Sequence, residues 1–91
     1  MTNRTDTLQA AYELVNGARQ DDYGTPAESF GRIAALWTPI LGLDVQPHQV
    51  ALCMAMVKAA RLVRSPDHSD SWVDLAGYAA LGSELTQQEA S

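Results

Sequence analysis

The stretch from Val50 to Tyr78 constrains this chain most. An almost wholly apolar helical segment carries Lys58 and Arg61, a short turn follows, and a second segment returns with Asp70, Asp74 and Tyr78. Folded back as an antiparallel hairpin, the two segments must bring these polar groups together. A small domain that places two cations, two carboxylates and a phenol on scarce buried helix surface has built either a structural ion-pair network or a ligand site. The residues alone are compatible with both.

The 91 residues suffice for one domain, spanning 1–91 with an ordered core expected over about 6–85. A domain of this size buries only roughly 60 to 65% of the surface its unfolded chain exposes. Its apolar content of 46% is ample, and it is concentrated in Val50 to Val63. A second copy is expected to cover what one chain leaves open, so the sequence predicts a homo-oligomer.

Eleven acidic against six basic residues give a net charge of −5. That balance argues against a chain that coats duplex nucleic acid or an anionic membrane, but not against one small anion held by local cations. The single cysteine, Cys53, sits in the apolar segment and is expected to be a small buried hydrophobe. Met1 to Asp6 is polar and lacks a secretory apolar core, and no run approaches a membrane span, so a soluble cytoplasmic protein is expected.

Asp6 followed by Gln9 resembles a capping pair, and Leu8, Ala11, Tyr12 and Val15 recur at helical spacing, predicting a first helix that ends near Gly17 to Gln20. Thr25-Pro26-Ala27-Glu28 is the clearest helix start: a threonine cap, a proline at the first helical position and a reciprocal glutamate. Phe30, Ile33, Ala34, Trp37 and Leu41 continue that helix, Pro39 is expected to kink it or end it early, and Gly42 closes it. Pro47 opens a third helix that Ser65-Pro66 stops near Arg64. A fourth starts within Ser69 to Ser71 and runs to about Leu85. The fold class is therefore all-α, a compact four-helix domain with an antiparallel C-terminal hairpin.

With the turn centred near Asp67, antiparallel pairing sets Arg64 opposite Asp70, Arg61 opposite Asp74, and Lys58 near Gly77 and Tyr78. Small residues at Ala51, Ala55 and Ala59 and at Ala76, Gly77, Ala80 and Ser83 permit close approach of the two helices. Arg61 offers a planar fork for a carboxylate or a phosphate, and its simplest use is to pair with Asp74 and hold the hairpin in register. Lys58 has no acid in its expected neighbourhood.

A second candidate is the loop Arg19 to Gly24, where a cation, two acids and Tyr23 precede a strong helix N-terminus; Tyr23 is suited to stack on a base. Trp37 and Trp72 lie on apolar faces and are expected in the core. His48 and His68 are expected to face solvent and lack the spacing of a zinc site. Asp70 and Asp74, at i and i+4, could share one magnesium ion. No nucleophile stands beside an evident base.

Arg19, Tyr23-Gly24, Phe30, Ile33-Ala34, Leu36-Trp37, Lys58, Arg61-Leu62, Asp70 and Asp74-Leu75-Ala76-Gly77-Tyr78-Ala79 together resemble a family of small uncharacterised phage and prophage domains. These are similar in turn to the nucleotide modification associated domain, type 1. The resemblance covers about Arg19 to Gly82 and implies a phage setting and a link to nucleotides. A more distant likeness is to all-α nucleoside triphosphate pyrophosphatases of the MazG type. Their paired Glu-x-x-Glu and Glu-x-x-Asp motifs are lacking here, leaving too few ligands to clamp a metal and orient water.

The leading expectation is a non-enzymatic binder of a small nucleotide, with no cofactor. Lys58 and Arg61 would hold phosphate, Tyr23 or Tyr78 would pack a base, Asp70 or Asp74 would accept base or ribose donors, and Arg19 would assist. In a phage, such a binder could sequester a nucleotide signal of host defence. The alternatives are a magnesium-dependent nucleotide hydrolase using Asp70 and Asp74, and a protein-interaction module whose polar stripe is an ion-pair lock.

Overall fold

Three of the four described helices begin where the chain supplies a cap or a proline. In the computed structural model, which describes residues 3–17 and 24–89, four helices form and no strand. Helix α1 spans Arg4–Val15 and is capped by Asn3, whose side-chain oxygen accepts the Asp6 backbone N–H at 2.8 Å. This corrects the expectation that Asp6 is the cap. Asn caps as well as Asp and begins the helix a turn earlier, leaving Asp6 in the first turn, where a negative charge suits the helix dipole. Gln9 instead donates to Glu13 at 3.3 Å. Asn16 ends the helix sooner than expected, its backbone and side-chain N–H groups both donating to the Tyr12 carbonyl.

Helix α2 spans Pro26–Leu41, with Thr25 accepting the Glu28 N–H at 3.2 Å as the motif foretold. Pro39 does not end the helix early: α2 passes it and closes at Gly42, whose φ of 70° is the left-handed cap conformation. So near the end, a proline deletes only one backbone bond. Thr38 ties down the following connection. Its hydroxyl donates to the Ala34 carbonyl at 2.8 Å and accepts the Val45 N–H at 3.0 Å.

Helix α3 runs Pro47–Arg64, as its two prolines dictate. Helix α4 starts at Ser69, within the expected window, and continues past Leu85 to Glu89. That extension has a long-range cause. The Glu89 carboxylate accepts the His48 backbone N–H at 3.1 Å and stands 2.6 Å from His48 Nδ1, so the end of α4 is fastened to the start of α3. His48 is thus engaged rather than simply facing solvent.

Phe30, Ala34, Val50, Ala51 and Leu85 form the core, with Ile33, Trp37, Val45, Met54, Tyr78 and Leu81 packed against it. Along α3 and α4 the contacts run in opposite order: His48 meets Glu89, Ala51 lies against Gly82, and Lys58 meets Asp74. A Cβ on Gly82 would sit 3.4 Å from that of Ala51, so the missing side chain sets how closely the helices approach.

Two expectations about burial fail. Cys53 is exposed, because it lies two residues, or about 200° of helix, from the buried Ala51. Trp72 is 46% exposed, and its indole N–H donates to the Pro66 carbonyl at 2.9 Å. The position beside it is the buried one: Ser71 is sealed in at the start of α4, with its hydroxyl 2.8 Å from His68 Nδ1. Trp37 does pack on the core. None of the described helices is long and apolar enough to cross a membrane.

Candidate functional site

All four helices contribute to one pocket of about 370 Å³. The end of α1 supplies Leu14 and Val15, and the start of α2 supplies Pro26, Ser29 and Phe30, with Gly24 just before it. Helix α3 adds Lys58, and α4 adds Asp74, Gly77, Tyr78 and Leu81 at helical spacing. The volume lies toward the lower end of the roughly 300–1,000 Å³ usual for small-molecule sites.

Gly77 lets α1 close this pocket. A Cβ there would stand 3.3 Å from Val15 Cγ1 and 3.7 Å from Leu14 Cδ2, so any side chain would press on the α1 wall. Phe30 and Tyr78 meet edge to face, with ring centroids 6.3 Å apart at 79°, which holds the phenol ring against the start of α2.

The polar centre of the pocket is an ion pair that differs from the expected one. Lys58 Nζ lies 3.0 Å from Asp74 Oδ2, with the two side chains 15% and 30% exposed. Lys58 does share a wall with Gly77 and Tyr78, but Asp74 is its partner, and Arg61 is not paired with Asp74. The shift is one helical turn on α3. In the connection between the two helices the His68 N–H donates to the Ser65 carbonyl at 3.0 Å and the Ser71 N–H to the His68 carbonyl at 3.1 Å. The buried Ser71 and the anchored Trp72 then fix where α4 starts along α3.

Arg61 and Arg64 are exposed, as is Asp70, and none of the three forms an ion pair among the described residues. The expected facing of Arg64 and Asp70 therefore produces no bridge. Asp70 is also not on the pocket wall with Asp74. Among the described residues, no three His, Cys, Asp or Glu side chains come together as a metal cradle. Arg19 and Tyr23 lie outside the described residues.

The pair leaves hydrogen-bonding capacity open. An ammonium has three donors, of which Asp74 takes one, and Asp74 Oδ1 has no protein donor among the described residues. The hydroxyls of Ser29 and Tyr78, on the same walls, likewise have no protein partner there. The ion pair is close to neutral as a unit, so it suits a ligand that offers both donors and acceptors better than a bare anion.

Lys58, Asp74 and Tyr78 were visible as a polar stripe in the sequence. The apolar walls from Leu14, Val15, Pro26, Phe30 and Leu81 were not, because they come from helices whose approach depends on packing. A local signal was Gly77, one of two residues without a side chain inside α4.

The family model described as "Domain of unknown function (DUF6378)" matches residues 6–86 of the chain. The Gene 55 protein of Mycobacterium phage L5 is 41% identical over 75 residues, covering 81% of this chain and 48% of that protein. The Gene 55 protein of Mycobacterium phage D29 is 39% identical over 81 residues, covering 89% and 54%. The chain spans about half the length of these relatives. No solved structure matches it. The expected likeness to small phage proteins is thereby shown.

Proposed function

This chain belongs to the DUF6378 family, and we propose that it is a binding protein for a small nucleotide, which enters the four-helix pocket base first. The observation that carries this reading is the placement of the Lys58–Asp74 pair: it stands on the wall of a cavity of about 370 Å³ with unused donors and acceptors, rather than in a closed seam. A pure register lock needs no cavity beside it. The apolar walls and the Tyr78 ring give a planar base a surface to lie on.

Phosphate does not belong against Lys58, where it would meet the Asp74 carboxylate. Arg61, one turn further along α3, exposed and outside the pocket wall itself, is the cation proposed for it. The resemblance to the nucleotide modification associated domain supports the same class of ligand. In the host cytoplasm of a phage infection, such a domain would sequester a nucleotide signal of defence. The net charge of −5 makes duplex nucleic acid a poor partner.

We read α3 and α4 as the antiparallel hairpin that the opposed contacts describe. The assembly proposed is a homo-oligomer, because Leu36, Ile40, Leu43 and Val63 are 63%, 81%, 69% and 87% exposed. A magnesium-dependent hydrolase has less support, since Asp70 does not join Asp74 on the pocket wall. The likeness to MazG-type enzymes carries no further weight here.

Isothermal titration against a panel of linear and cyclic nucleotides tests the reading. A saturable heat with at least one of them is expected, weakened about tenfold or more in Lys58→Met. Uniform silence across the panel would discard it.

A further inference from the structure

We infer that the pocket selects guanine among the bases, by reading the edge that carries its ring carbonyl, ring N–H and amino group. This rests on the nucleotide reading above and names the ligand within it. The pocket wall and the base edge match as rows of donors and acceptors. Lys58 offers spare ammonium donors, and 3.0 Å away Asp74 offers a carboxylate whose Oδ1 has no protein donor among the described residues. A ligand that meets this wall must present an acceptor beside one or more donors.

Guanine presents an acceptor followed by two donors. Its O6 accepts from Lys58 while N1–H and N2–H donate to the Asp74 carboxylate, both as charge-assisted bonds, the stronger kind. The other bases use the wall less well. Adenine has a single edge donor for the carboxylate and one acceptor for the lysine. Uracil and thymine flank their one ring N–H with two carbonyls, so the second carbonyl oxygen would face a carboxylate. Cytosine offers the carboxylate one donor only, and its two acceptors would have to share the single ammonium.

The rest of the cavity is consistent with a purine. Val15, Phe30 and Leu81 line it with apolar surface, and Ser29 and Tyr78 supply hydroxyls that can bond the ribose. The walls also exclude much of the water that would otherwise compete for Lys58, whose side chain is only 15% exposed.

The test is competitive and has two independent arms. Titration of the full chain with guanosine, inosine, adenosine, cytidine and uridine monophosphates should rank the guanosine compound first, about tenfold or more over the adenosine one. Inosine monophosphate, which lacks only the amino group, should fall between them. In Asp74→Asn, whose amide replaces one acceptor by a donor, preference should pass to xanthosine monophosphate, which carries a carbonyl where guanine has the amino group.

Equal affinity for guanosine and inosine monophosphates, or an adenosine or pyrimidine compound ranked first, overturns the base assignment and leaves nucleotide binding standing. No heat with any nucleotide on the wild-type chain overturns both. Should Asp74→Asn fail to fold, the wild-type ranking of guanosine against inosine monophosphate decides the matter alone.

Discussion

Lys58 Nζ lies 3.0 Å from Asp74 Oδ2, so the carboxylate is held by the cation one helical turn before Arg61 on α3. The pair is neither fully exposed nor sealed, with 15% and 30% of the two side chains in contact with solvent. Its energy should fall between those limits. Asp74→Ala is expected to cost about 1–2 kcal/mol, more than a surface bridge and less than a buried one. Urea denaturation of Lys58→Met, Asp74→Ala and the double variant measures the coupling, and strictly additive losses would show the pair to be incidental.

Glu89 closes the last turn of α4 by holding the first turn of α3. A carboxylate at a helix C-terminus is disfavoured by its own dipole, but here it accepts the His48 N–H at the start of α3, where negative charge is welcome. Glu89→Ala should therefore cost about 1 kcal/mol. Amide exchange should quicken in the final turn of α4; unchanged exchange there would mean that the contact does not hold the end.

Gly31 sits inside α2 with nothing within 4 Å of where a Cβ would be. Gly31→Ala is expected to raise stability by about 0.5–1 kcal/mol, because alanine loses less backbone entropy and meets no obstacle. A fall in the thermal midpoint would contradict the open space on that side of α2.

Leu85 is 1% exposed, whereas Val63 is 87% exposed. Leu85→Ala should cost about 2–5 kcal/mol, a large share of the roughly 5–15 kcal/mol that holds a small domain together. Val63→Ala should stay within about 0.5 kcal/mol in the isolated chain. If Val63→Ala instead weakens self-association at high concentration, the exposed apolar residues form the contact between copies.

The helix boundaries were the most legible part of the chain. Thr25-Pro26 and Pro47 start α2 and α3, and Pro66 stops α3, because proline and a hydroxyl cap act within a few residues and need no tertiary partner. Where several local signals competed, as Asn3 did with Asp6, the choice was closer and the earlier cap won. The polar stripe was legible too, since Lys58, Asp74 and Tyr78 do line one pocket.

Local chemistry in this chain thus dictated which segments coil, where they stop and which charged groups share a neighbourhood. It could not dictate which cation meets Asp74, since a turn two residues tighter or looser rotates a different side chain into place. Nor could it reveal that Glu89 reaches His48, 41 positions away, or that Val15 and Leu14 lie over Gly77. Those contacts depend on the packing of whole helices. There, the free energy of burying Val50, Ala51 and Leu85 chooses one arrangement from many that the local rules allow equally.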